Sequence, residues 1–536
     1  MVTVAAPAPP AARRSWRPTP AGVALTLALA GVGYRLAVLL AQAPPTNSDE
    51  ATTGLVALHV SQGREFPLFF YGQYYMGALE SYLAAPLFLL AGPSVFALRL
   101  PNLLLYAAFL ALMWRLTSRL YTPWLAALTV GLLALGADRI LKNQLIAGGG
   151  YPEMNPAGAL LILLAVNLGL GVVRRRAAGY AVFGLVAGLT LWDDWLVLPY
   201  VGAAGLLLLL TGWRDLPGRH GAALAGGLLV GLVPIVAHNL TAAPEHRSLA
   251  IYANLGGGAD ASWPDRFFGG VLFGLPMGTG LCPPGRCEPW QLWWGLLVPV
   301  LLVVAGVLAW RGLRRTGSAG SPDARGARPV VQGGRLALVV AAALTLLAYA
   351  ASGAAGSTPV ESARYLSCLL ISIPALLWPL WRIAARGPGR WRASGAGALA
   401  ALTATMVVAT AAFVAHLPAY GRQADARAEL VAALDERGIT RFYGGYWTCL
   451  PITFATRERI VCAVIDDDLR PGWDRYAPHR DLVAAAPAPA YVLPAGSATS
   501  RAVGAAIAAA GVPSTTSTVA GYDIHQPAGP VDLPRR

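Results

Sequence analysis

The sequence predicts a mainly α, polytopic transmembrane helix bundle of about eleven spans, followed by a small extracytoplasmic α/β domain. Composition is the first reason. Of 536 residues, 56% are hydrophobic and 13% carry a formal charge, against about 25% charged in ordinary soluble domains. The second is periodicity of a coarse kind: apolar runs recur from residue 21 to residue 416, each close to the roughly 20 residues that cross a hydrocarbon core. The third is a change of material. From Pro418 the chain becomes mixed, with a helical pattern at Ala426–Arg437 and a strand-like run at Tyr491–Leu493.

The expected spans are 21–40, 98–114, 122–138, 156–173, 177–191, 196–211, 220–240, 291–310, 335–352, 366–382 and 395–416. Residues 1–20 carry Arg13, Arg14 and Arg17 ahead of an apolar run longer than a signal-peptide core. They read as a cytoplasmic tail before an uncleaved first helix. Arginines then cluster in every second connection: Arg115 and Arg119; Arg174–Arg176; Arg214 and Arg219; Arg311, Arg314, Arg315, Arg325, Arg328 and Arg335; Arg382, Arg386, Arg390 and Arg392. This is the positive-inside pattern. The formal net charge of +14 therefore sets topology and gives no reason to invoke nucleic acid.

The stretch 75–91 is apolar but holds Glu80 and Pro86. Counting it as a span would reverse every later loop, so it reads as an interfacial or re-entrant helix. The outer segments are then 41–97, 139–155, 192–195, 241–290, 353–365 and 417–536. Three units follow: the tail 1–20, a transmembrane module 21–416 and an extracytoplasmic soluble domain 417–536. The Gly/Ser/Arg-rich stretch 312–334 reads as a solvated cytoplasmic linker.

Five cysteines are present, and Cys282, Cys287, Cys449 and Cys462 lie in outer segments while Cys368 falls in a span. An oxidising exterior favours Cys282–Cys287 and Cys449–Cys462 bridges. A zinc site would want C-x2-C spacing and neighbouring histidines, which are missing.

Carboxylates and cations collect where spans meet the outer side, a place where charge is costly and usually functional. Asp49 and Glu50 follow the first span, before an amphipathic stretch 51–62 with Asn47 or Ser48 as its cap. An acidic pair in a first helical turn also simply complements the helix dipole. Asp138, Arg139, Lys142 and Glu153 bracket the second outer turn, and Glu361 and Arg364 precede a later span. Glu361 and Arg364 read equally well as a plain ion pair. Asp193 and Asp194 lie between two tryptophans and read first as part of the aromatic belt. So do Tyr71, Tyr74 and Tyr75, with sugar stacking as the alternative. His59 reads as polar packing, and the run Asp466–Asp468 as a solvated turn.

The ordered combination "SDEA", then "YGQYYMGALESYLAAPLFLLAGPSVFALRLPNLL", resembles the N-terminal signature of GT-C membrane glycosyltransferases. Within that superfamily it is most similar to family 39-like enzymes of the protein O-mannosyltransferase and aminoarabinose transferase type. The likeness rests on the acidic pair, the interfacial helix, the Arg99–Pro101 entry to the second span and the charged turn 138–155. It is good over 21–240 and looser beyond. "GGYPEMN" and "RFYGGYWTCLPITFATRERIVCA" look like bacterial members with an extracytoplasmic C-terminal domain. The usual paired prolines before the interfacial tyrosine are missing, which leaves donor sugar and acceptor open.

The resemblance implies a polyprenyl-phosphate sugar donor, an outer-face site and a catalytic acid residue at Asp49, with Glu50 beside it. On that expectation a carboxylate takes the acceptor proton, and Glu153, Glu80 and Asp138 orient acceptor or metal. Arg139, Lys142 and Arg364 stabilise the leaving phosphate. A divalent cation, Mg or Mn, on Asp49 and Glu153 is an alternative means of holding that charge. The partners are the lipid-linked sugar, an extracytoplasmic acceptor (cell-wall glycan, lipid or protein) and the bilayer. A lipid or polysaccharide transporter or flippase is the rival reading, though transporters favour midplane charges and inverted repeats. A non-catalytic envelope scaffold is a third.

Overall fold

The computed structural model describes residues 18–255, 261–282, 287–315 and 322–531. Most of the tail assigned to 1–20 lies outside that set. The helices used below are α1 (Pro20–Leu40), α2 (Ser48–Ser61), α3 (Leu79–Ala91), α4 (Val95–Leu120), α5 (Pro123–Ala134) and α6 (Asp138–Leu145). They continue with α7 (Tyr151–Gly169), α8 (Arg176–Asp193), α9 (Leu198–Gly212), α10 (Arg219–Thr241), α11 (Trp293–Arg314), α12 (Pro322–Ala351), α13 (Ile373–Arg386) and α14 (Gly389–Glu436).

Among the described residues eight helical segments are long and apolar enough to cross a membrane: α1, α4, α9 with its flanking turns (Trp195–Asp215), α10, α11, α12, α13 with the turns before it (Pro359–Arg386), and α14. The pair α5–α6 is bent by 91° and counts as a ninth if taken as one broken span. All eleven expected spans overlie helices. The two that fall short of the length-and-composition test, α7 and α8, carry the polar residues Glu153, Asn155 and Arg176 within them. Helix starts follow local chemistry: Thr19, Ser94 and Thr122 each cap with a side-chain oxygen that accepts a backbone N–H of the first turn.

The break between α5 and α6 is stabilised by one residue. Arg35 of α1 is fully buried and donates to the carbonyls of Ala134 at 2.7 Å and Leu135 at 3.1 Å, and to Gln144 at 2.8 Å. Its guanidinium also lies 3.9 Å from the Tyr106 ring centroid. Carbonyls freed where a helix turns inside apolar surroundings need such a donor.

Helix α10 buries only Gly231, with Leu229, Val230, Val233 and Leu240 exposed on its surface. That is the expected state of a lipid-facing helix. It is held against α8 by backbone approach: a Cβ on Gly188 would sit 2.6 Å from the Leu228 carbonyl oxygen, and one on Gly231 would sit 2.5 Å from that of Leu185. Small residues at spacing four are the usual way two helices dock in lipid.

Two expectations are corrected here. The linker expected at 312–334 is mostly helix, because α11 continues to Arg314 and α12 already begins at Pro322. Helix α14 runs for 48 residues without interruption, past the expected end of its span at 416. Its alanine-rich sequence has high helix propensity, and the change of composition near Pro418 does not terminate it.

Beyond α14 lies a five-stranded sheet of order β2-β1-β3-β5-β4, with β1 (Arg441–Gly444), β2 (Val461–Val464), β3 (Ala490–Pro494), β4 (Ser514–Val519) and β5 (Tyr522–Pro527). Strand β1 is parallel to both neighbours, and β5 is antiparallel to β3 and β4. Helices α15 (Tyr446–Ala455), α16 (Pro478–Ala484) and α17 (Ala498–Ala509) connect or cover the strands. Cys449 is bonded to Cys462, and Cys282 to Cys287. Cys368 is free and buried.

Candidate active site

The segments that charge alternation assigns to the outer side touch one another. The Gly77 amide donates to the Asp193 carbonyl at 2.8 Å, and the Gly149 amide to Glu80 at 2.9 Å. Arg139 donates to the Val360 carbonyl at 3.0 Å, and the Tyr74 ring lies 5.0 Å from that of His246. Arg475 reaches Asp49 at 2.8 Å. One end of the bundle therefore gathers every polar group singled out in the sequence except the cations with partners of their own.

Helix α2 starts this assembly. Asn47 caps it, its side chain accepting from the Glu50 amide at 2.9 Å. The helix does not lie along an interface as an amphipathic element. Ser48 and Glu50 to His59 are all buried, because α3 covers one side and α15 the other. The adjacent carboxylates point to different fates. Glu50 is wholly buried and accepts from Arg99 Nε and Nη2, both at 2.6 Å, and from the Ala147 amide at 3.3 Å. Arg99 also donates to the Ala43 carbonyl at 3.1 Å. Asp49 keeps a quarter of its side chain exposed, and only its Oδ1 is engaged, by Arg475 at 2.8 Å and the Tyr446 hydroxyl at 2.9 Å.

The floor is the turn Gly148–Gly150. Gly149 and Gly150 hold φ of +94° and +88°, which side chains rarely allow. A Cβ at Gly150 would also meet Asp194 Cβ at 2.8 Å. Glu80 accepts from the Gly148 and Gly149 amides at 3.1 and 2.9 Å. Burial pushes the Glu80 carboxyl up to about 7 despite those amides. Burial does the same to Asp194, up to about 7, with the Leu196 amide and Arg364 pulling the other way. Glu153 is buried with neither oxygen partnered, and Asp193 Oδ1 is likewise unpartnered.

Two guanidinia complete the site. Arg364 packs over Tyr151 and Tyr365, at 5.4 and 5.5 Å from their centroids, and lies within electrostatic reach of Asp49. Arg475 comes from the loop before α16. Both act on the Tyr75 hydroxyl. The other expected cations have partners of their own, though Arg139 also keeps a buried, unpartnered Nε. Lys142 pairs with Asp138 one turn earlier at 2.8 Å, Asp138 also accepts from Tyr420 at 3.0 Å, and Arg139 holds the Val360 carbonyl. Among the described residues no ion pair joins Glu361 to Arg364.

Against this geometry, ArnT from Cupriavidus metallidurans in the apo state is similar over 95% of this chain and 97% of its own, with TM-score 0.56 and 12% sequence identity. ArnT bound to undecaprenyl phosphate gives 0.53 at the same identity and coverage. The chain shares the fold of ArnT. No protein-family model and no curated protein matches the sequence, so the likeness resides in architecture.

The side chains at this end of the bundle bear on the expected metal site. Among the described residues no three His, Cys, Asp or Glu side chains converge to hold an ion. Asp49 is tied to Arg475, while Glu153 answers to the charges of Glu80 and Asp193. No step below is routed through a metal.

The sheet domain is docked by a second polar cluster. Glu458 accepts from His59 at 3.0 Å and His479 at 2.9 Å, and pairs with Arg64. Burial pushes its carboxyl upward, but the hydrogen bonds from His479, His59 and Arg64 hold it well below the usual range. Glu65 accepts from Tyr71 at 2.8 Å and also from Tyr476. Arg475 had drawn no attention in the sequence, and Tyr446 and Glu458 only as members of the string "RFYGGYWTCLPITFATRERIVCA", with no role assigned. The only available signal was an arginine set among aromatics in "GWDRY". The run Asp466–Asp468 serves local turns, with Asp467 accepting from Thr499 at 2.7 Å.

Proposed function

We propose that this chain is a membrane glycosyltransferase that moves a sugar from a polyprenyl-phosphate donor to an extracytoplasmic acceptor, with Asp49 as the base. The observation that carries this reading is a half-used carboxylate, Asp49, next to two buried guanidinia at one end of a GT-C bundle. The undecaprenyl phosphate bound by ArnT supports a lipid phosphate as the leaving group here. Residues 21–416 form the catalytic module in this reading, and 417–536 an accessory domain. Two disulfides at the same end of the bundle favour an oxidising, extracytoplasmic location.

The chemistry needs few parts. The acceptor hydroxyl loses its proton to the open oxygen of Asp49 while its oxygen attacks the anomeric carbon. The bond from that carbon to the phosphate oxygen breaks, and its electron pair stays on the phosphate. A phosphate needs no proton to leave, so positive charge is what the site must supply. Arg364 and Arg475 supply it. Glu50 positions Asp49 through the fixed α2 start, and Glu80 and Asp194 hold the floor. Glu153, buried and unpartnered, is the carboxyl best placed to accept from an acceptor sugar hydroxyl.

The test incubates purified protein in lipid nanodiscs with a panel of radiolabelled polyprenyl-phosphate sugars and membrane extract, and follows the label. Transfer by the wild-type chain and a loss of about 10²- to 10⁴-fold in Asp49→Asn is expected. Undiminished transfer by that variant overturns the base assignment, and no transfer from any donor overturns the reading.

A further inference from the structure

We propose that the C-terminal domain completes the site in the same chain, with Arg475 binding the phosphate of the lipid carrier from the side opposite Arg364. This rests on the glycosyltransferase reading and adds a ligand contact from outside the transmembrane module.

The geometry around Arg475 is unusual for a structural arginine. The residue is 7% exposed. Its guanidinium face is covered, with Trp473, Phe70 and Tyr446 centroids at 3.9, 4.7 and 5.7 Å. Only the edges are left for hydrogen bonds. Nε donates to the Tyr446 hydroxyl at 2.8 Å and Nη2 to Asp49 Oδ1 at 2.8 Å, while Nη1 is buried without a partner. A buried cationic donor with no acceptor is costly, and a phosphate oxygen is an acceptor that relieves it while meeting the charge.

A second cation points the same way. Arg364 Nε is also buried and unpartnered, and the charges of both arginines act on Tyr75. Two guanidinia from distant parts of the chain thus act on one hydroxyl, each with spare donor capacity. Asp49 neutralises part of this charge but engages only Nη2 of Arg475. Carrier phosphate held by the arginines would leave the anomeric carbon between its esterified oxygen and the acceptor hydroxyl whose proton Asp49 takes. The aromatic cover strengthens the contact, because it removes the water that would otherwise screen it.

The experiment measures binding of decaprenyl phosphate and of decaprenol, which lacks the phosphate, to the full chain in nanodiscs. Wild type, Arg475→Met, Arg475→Lys and the control Arg501→Met, an exposed arginine elsewhere in the same domain, are compared, with thermal unfolding of each recorded. The expected result is a wild-type preference for the phosphate form, reduced about 10- to 100-fold in Arg475→Met, largely restored in Arg475→Lys and kept in Arg501→Met. Equal loss of both lipids in Arg475→Met would mean a structural role and overturn the proposal. So would an unchanged preference in Arg475→Met, with the glycosyltransferase reading left standing. A wild-type chain with no preference for the phosphate form would overturn both.

Discussion

Asp49 and Glu50 are neighbours on one helix turn, each paired with an arginine, yet they face different halves of the molecule. Glu50 faces the transmembrane module, where Arg99 closes a two-pronged bond with no exposed edge. Asp49 faces the C-terminal domain, where Arg475 takes one oxygen and leaves the other open. The first pair has its full hydrogen-bonding capacity spent and no room for a ligand. The second is a site held part-finished. Chemistry is available only where a charged group is buried enough to be strong and open enough to be reached.

The largest break in this comparison should come from Arg99→Ala. It strands the Glu50 carboxylate where no water can replace the lost partner, a change worth about 3–5 kcal/mol. The variant should lose folded, monodisperse protein in detergent extraction and size-exclusion chromatography. A variant with wild-type thermal unfolding would show that Glu50 is not an ionic strut. Asp49→Asn sharpens the contrast, since it should leave the unfolding midpoint within a few degrees of wild type while transfer falls as stated above. Similar stability losses in both variants would erase the distinction between the two carboxylates.

How far this contrast was legible in the sequence can be traced residue by residue. The bundle was, because apolar run length and arginine alternation are local properties that lipid enforces. The acidic pair was visible too, and so was the Arg-x-Pro entry that supplies Arg99. Which carboxylate is free was not, because that depends on Arg475, 426 positions away in a domain whose composition gives no hint of the site. Lys142 shows the opposite case: its i,i+4 spacing from Asp138 already offered a same-face ion pair. Asp193 and Asp194 looked like spacers in an aromatic belt, yet the first anchors Gly77 and the second packs against Gly150. The continuation of α14 was hidden for a simpler reason, namely that composition changes where the helix does not.

Docking of the C-terminal domain should break next. Glu458→Ala leaves His59, His479 and Arg64 without their shared acceptor, a loss of about 2 kcal/mol. Limited proteolysis should then cut within 437–531 earlier than in wild type, while the transmembrane module stays intact. Transfer should fall too, since Arg475 arrives with this domain. Undiminished transfer with a loosened domain would show that the domain is dispensable to the site.

The last expected effect is a pH dependence rooted in the floor of the site, and Arg364 keeps it well below its limit. Burial holds the Asp194 carboxyl at about 7, above the roughly 3.9 of an unfolded aspartate. Between about pH 4 and pH 7 the folded chain therefore binds a proton that the unfolded chain has lost. Stability attributable to this group must then fall as pH rises through that window, by roughly 1.4 kcal/mol per unit at most, and level off above it. Arg364, Tyr75, Tyr151 and Asp193 face the group. Of these, Arg364 favours the ionised carboxylate and so flattens the slope. Asp194→Asn should abolish the dependence and raise the unfolding midpoint at pH 8 relative to wild type. If that midpoint drops instead, the carboxylate is ionised and bound to Arg364. The floor of the site would then resemble the Glu50–Arg99 side of α2 more than the open side at Asp49.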